Sequence, residues 1–176
     1  DFELSLDMKT GVLNRTFTVF GVQVKITRLV SAAMKELMVS HYEFMSLDGV
    51  AHRVRFDATI DADVTNEDAN YDEQFWQVLA AGHEQQTAFM ATQTMPNPCK
   101  VPQFTVVARQ SFQGGTQQAA HETEKAVTDT FNIEVPAKGQ ASFEERVIVT
   151  TSRDYDDLTA TIAASQHLTE TIQSTT

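Results

Sequence analysis

A chain of 176 residues is the size of one domain, large enough to bury a core without help from metal or disulfide. Its formal net charge of −11 argues against a tight grip on DNA or RNA, because affinity for phosphate comes mainly from Lys and Arg displacing counterions. The lone cysteine, Cys99, rules out an internal bridge, and no apolar run approaches the roughly 18 residues of a membrane span. No basic-then-apolar leader opens the chain at Asp1, so a soluble protein with no membrane partner is expected.

Phe2, Leu4 and Leu6 alternate with Glu3, Ser5 and Asp7, a short strand broken at Lys9-Thr10-Gly11. Asn14 to Thr27 is rich in β-branched and aromatic residues, with Gly21 as a bulge or kink, and completes a hairpin. Ser31 is a predicted N-cap, after which Met34, Leu37, Met38 and Tyr42 recur at helical spacing. From His52 to Val64 the alternation is strict. Val54, Phe56, Ala58, Ile60, Ala62 and Val64 share one parity, and Arg53, Arg55, Asp57, Thr59, Asp61 and Asp63 share the other, so one face is core and the other a ladder of charge.

Asn70 and Glu73 form a variant capping box, and Phe75, Val78 and Leu79 a buried stripe beside Trp76, which predicts a second helix stopped at Gly82. Gln85 to Thr94 returns to alternation with neither face strongly polar, a strand covered on both sides or packed against a neighbouring subunit. Pro96, Pro98 and Pro102 make a loop around Cys99. Phe104, Val106, Ala108 and Phe112 then alternate with Thr105, Arg109 and Ser111 in a strand ending at Gly114-Gly115, and Gly115 to Lys125 reads as a flexible polar excursion. Val127, Phe131, Ile133 and Val135 oppose Thr128, Thr130, Asn132 and Glu134 in a half-buried strand stopped by Pro136. A last hairpin is expected from Phe143, Val147 and Val149 to Leu158, Ala160 and Ile162, with 165–176 a flexible or arm-like tail. The sum is a mainly β, antiparallel sandwich or barrel-like single domain over 1–176 with two short flanking helices.

The chemistry-bearing residues do not converge on a signature. His41, His52, His83, His121 and His167 are scattered without zinc-pair spacing. Asp61, Asp63, Thr65, Glu67 and Asp72 echo a calcium loop but carry Asn66 where Gly is needed and Asp72 where a bidentate Glu is needed. No nucleophile elbow, Ser-x-x-Lys or phosphate loop occurs. The expectation is a protein that is not an enzyme, with no catalytic residue, cofactor or metal.

From Tyr71 to about Gly139 the order is capped helix with Phe75-Trp76, Gly82, strand through Phe89, loop, strand from Phe104 to Phe112, polar excursion, and strand from Val127 to Val135. That order resembles the major tail tube proteins of long-tailed bacteriophages. The resemblance implies a self-assembling virion protein made in the host cytoplasm, forming hexameric rings with itself, contacting other tail proteins, and lining a DNA channel with Asp57, Asp61 and Asp63. Two other readings stand beside it. The Thr-rich stretch from Thr128 to Ile162 looks like the sheets of aerolysin-like pore-formers, and a monomeric β-rich binding module fits the same pattern.

Overall fold

The computed structural model describes residues 1–65, 74–84, 87–96 and 99–174. Eleven strands and one helix follow in chain order: β1 Phe2–Asp7, β2 Val12–Val19, β3 Val22–Val30, β4 Leu37–Ser46, β5 His52–Asp61, β6 Trp76–Glu84, β7 Thr87–Thr94, β8 Thr105–Gln113, β9 Thr116–Glu122, β10 Ala126–Val135, β11 Gln140–Thr151 and α1 Leu158–Ser174. An eight-stranded sheet has the order β1-β2-β3-β4-β11-β8-β7-β6 and a three-stranded sheet the order β5-β10-β9. The fold is mainly β, antiparallel and sandwich-like, with a C-terminal helix.

Two compact units are present, each assembled from separate stretches of chain. The first comprises 1–57, 111–119 and 130–147. Val22, Val24 and Ile26 of β3, Tyr42 and Phe44 of β4, and Phe143 of β11 pack there with Phe131, Ile133 and Val135 of β10. Phe143, fully buried, has the rings of Phe56, Phe131, Phe112 and Tyr42 at 4.7, 5.0, 5.8 and 6.3 Å. The β2–β3 hairpin closes through Phe20 (φ 48°) and Gly21 (φ 78°). Gly21 is thus a turn residue rather than a bulge, two consecutive positive φ values being what a two-residue hairpin loop needs.

The second unit comprises 58–110, 120–129 and 148–176. Its apolar cluster is smaller, with Ala62, Ala88, Met90 and Val127 at the centre and Ile60, Val78 and Ala81 against them. β7 is buried from Thr87 to Ala91 on both faces, as its sequence predicts.

Neither expected flanking helix exists among the described residues. Ser31 does accept a bond from the Met34 amide at 3.0 Å, but the chain makes only a turn before β4. Ser40, Tyr42, Phe44 and Ser46 are buried at period two, which outweighs the accidental helical spacing of Met34, Leu37 and Met38. Trp76 to Gly82 is strand β6, with a register shift between Val78 and Ala80 that makes its apolar spacing look helical; the capping positions Asn70, Asp72 and Glu73 lie outside the described residues. The polar excursion is strand β9, exposed at every position.

Leu158 to Ile162, expected as a strand, opens α1, and Gln166 to Ser174 continues it where the sequence suggests a tail. Asp157 caps it, its Oδ1 accepting from the Ala160 amide at 2.8 Å. The buried face of α1 is hydroxylic: Thr161, Ser165 and Thr169, at four-residue spacing, are 0, 0 and 2% exposed. Their hydroxyls donate to the helix's own carbonyls at Asp157, Ile162 and Ser165, so the side chains are buried without orphaned donors.

Candidate functional site

The most constrained polar cluster of the second unit is built on Arg109 of β8, 1% exposed. Its parity on β8, shared by Thr105 and Val107, is the buried one, the reverse of what Phe104, Val106 and Ala108 suggest. Nη1 and Nη2 both donate to Glu84 Oε2 at 3.1 Å, Nη1 also to Thr87 Oγ1 at 3.0 Å, and Nε to Ser165 Oγ at 3.3 Å. The guanidinium lies over the Phe89 ring, 4.7 Å from its centroid. β6, β7, β8 and α1 are thereby tied through one side chain. A cavity of about 370 Å³ adjoins it, lined by Glu84, Thr87, Arg109, Gln166, Glu170 and Gln173 among others.

A second cluster joins β6, β9 and β10. His83 Nδ1 is 2.9 Å from Glu122 Oε1, and Nε2 is 3.1 Å from Oδ1 of Asp129, whose residue is 2% exposed. The Nε2 contact has ion-pair distance without hydrogen-bond alignment. Asp129 occupies the apolar parity of β10, between Val127 and Phe131. That placement is the signal by which a sequence reading finds it, since a carboxylate on a buried face requires a partner. Arg109 announces itself less directly, because its strand alternates weakly.

The residues predicted to line a channel are each engaged locally. Asp57 accepts from Thr130 Oγ1 at 2.6 Å and Arg55 Nε at 3.0 Å, which holds its carboxyl below the usual range. Asp61 Oδ1 accepts the Asp63 amide at 2.8 Å, closing a turn at the end of β5. Asp63 in turn accepts from Lys125 Nζ at 2.9 Å and from Gln74 Nε2. Of the calcium-loop echo, Glu67 and Asp72 lie outside the described residues, and among those described no cluster of three potential metal ligands forms. Likewise, no described helix is long and apolar enough to cross a membrane.

Comparison with known proteins decides the family. Residues 1–175 match the model of the glycosyl hydrolase family 65 N-terminal domain. The chain is 35% identical over 176 residues to the maltose phosphorylase of Bacillus subtilis (strain 168), covering 98% of this chain and 23% of that protein. A putative kojibiose phosphorylase from the human microbiome superposes with a TM-score of 0.84 over 98% of this chain and 22% of its own, at 14% identity, a likeness of fold. The chain thus spans less than a quarter of the relatives it matches.

These matches overturn the tail-tube resemblance and everything drawn from it: the non-enzymatic structural role, the hexameric rings, the tail-protein and DNA partners and the virion location. The pore-former falls with it, since the relatives are phosphorylases, enzymes of cells. The resemblance rested on an order of strands and turns that many β domains share, and the helix it began with is strand β6. The chain belongs to the family of N-terminal domains of glycosyl hydrolase family 65.

Proposed function

We propose that this chain is the N-terminal β domain of a disaccharide phosphorylase, with maltose as the first substrate to test. The observation that carries the reading is the 35% identity to a maltose phosphorylase along nearly the whole chain. In such a reaction the glycosidic C–O bond of the disaccharide breaks, a phosphate oxygen forms the new bond to the glucosyl carbon, and the departing sugar oxygen takes the proton. The reacting groups are assigned to the part of the polypeptide that the relatives have beyond this domain, which is more than three quarters of their length. This chain supplies a β scaffold whose C-terminal helix is fastened by Arg109.

The test is to purify the polypeptide in which this chain occurs and follow consumption of inorganic phosphate with maltose, kojibiose and sucrose as separate substrates. Phosphate uptake with stoichiometric release of free glucose from maltose is the expected result. Hydrolysis without phosphate uptake, or no reaction with any of the three, overturns the proposal.

A further inference from the structure

A groove of about 360 Å³ runs along β6, the edge strand of the eight-stranded sheet, within the second unit. Trp76 and Leu79 supply apolar surface, and Gln74, Gln77, Glu124 and Lys125 supply amide, carboxylate and ammonium groups. We propose that this groove binds a glucopyranosyl unit; the choice of sugar rests on the function proposed above. A pyranose has a face of C–H groups that stacks on an aromatic ring and a rim of hydroxyls that pair with amides and carboxylates. The groove offers that combination, and its volume lies in the range of small-ligand sites, roughly 300–1,000 Å³.

Trp76 is half-buried, with its ring 6.0 Å from Phe104 at an interplanar angle of 87°, which fixes its plane. Asp63 draws the Lys125 ammonium at 2.9 Å and also receives Gln74. With that cation paired and Glu124 on the rim, the groove favours a neutral polyhydroxyl ligand over phosphate. The cavity beside Arg109 has a comparable volume but no aromatic lining residue, which is why the Trp76 groove is the one assigned.

Trp76 is the sole tryptophan of the chain, so its emission reads the groove directly. The experiment titrates the 176-residue chain with maltose and, separately, maltoheptaose, using sorbitol as a polyol control. A saturable change with half-saturation in the ~0.1–10 mM range is expected, weakened about fivefold or more by Glu124→Ala and by Gln77→Ala. Both substituted residues are exposed, so the unfolding midpoint should not move. Saturation by maltoheptaose alone also supports the site and identifies a glucan chain as its source. A linear response matching sorbitol, or a saturable one indifferent to both substitutions, overturns it. Binding without phosphorolysis by the whole polypeptide sinks only the proposed function, and phosphorolysis without binding sinks only this inference.

Discussion

Replacing Arg109 by Met keeps an unbranched stem of four heavy atoms and removes the guanidinium, with its charge and all of its donors. A buried ion pair that loses one partner typically costs about 3–5 kcal/mol, because the other charge is stranded. Here the stranded charge is Glu84, whose side chain is 48% exposed, so water can take over its solvation and that term shrinks. Thr87 and Ser165 accept from Arg109 while donating to the carbonyls of Glu84 and Ile162, so neither is left with an orphaned donor. What remains is the loss of bonds to two hydroxyls, about 1 kcal/mol each, and of the stacking on Phe89, about 0.5–2 kcal/mol. Arg109→Met should therefore cost about 2.5–4 kcal/mol, read as a lower urea midpoint at unchanged slope. Arg109→Lys should recover only a small part, since one ammonium cannot reach Glu84, Thr87 and Ser165 in the fork geometry that the guanidinium uses. A loss within 0.5 kcal/mol for Arg109→Met, at the margin of ordinary surface changes, would refute the claim that this residue fastens α1.

Phe143→Ala removes the ring at the centre of the first unit's aromatic cluster and should cost about 3–5 kcal/mol by urea unfolding; a loss under 1 kcal/mol would mean the cluster collapses freely around the gap. Glu145 is pushed above the usual carboxylate range, chiefly by burial, so the unfolded chain releases its proton at a lower pH than the folded one does. Stability from this group therefore falls as pH rises from the ordinary glutamate range to the raised folded value. Glu145→Gln, which keeps an acceptor for Tyr42 Oη, should raise the melting temperature at pH 7 and give little change near pH 4, and an equal effect at both would refute the assignment.

The legible parts of this fold are those where burial and apolarity coincide. β5 is readable from His52 onward because His52, Val54, Phe56, Ala58, Ile60 and Ala62 turn inward, while Val64, expected on the same core face, lies past the strand's end and is exposed. The end of β10 is readable for the same reason. β4 is misread because two of its four inward residues are serines, which leaves only Tyr42 and Phe44 to carry the period against a chance helical spacing upstream. The site was less visible than the fold. Asp129 breaks an otherwise apolar face and could have been found there, whereas Arg109 sits on a strand whose buried parity includes Thr105 and Ser111.

That difference follows the division of the chain. In the first unit the buried polar residues are Ser40, Ser46 and Ser111, with Glu145 partly buried, and the interior is aromatic. In the second unit the interior includes Arg109, Gln110, Asp129, Thr150, Thr161, Ser165 and Thr169. A helix that buries Thr-Ser-Thr at four-residue spacing has no apolar stripe to detect, and its threonines favour strand on propensity alone, which is why α1 was expected as a hairpin. Its hydroxyls are satisfied within the helix, while Thr150 Oγ1 donates to the Thr161 carbonyl at 2.9 Å and Arg109 reaches Ser165. Such contacts add little net stability compared with an apolar seam, but they admit fewer alternative packings, because each misplacement leaves a buried polar group unpaired. The placement of the C-terminal helix is therefore specified by polar geometry, a kind of information that binary hydrophobic patterning does not carry.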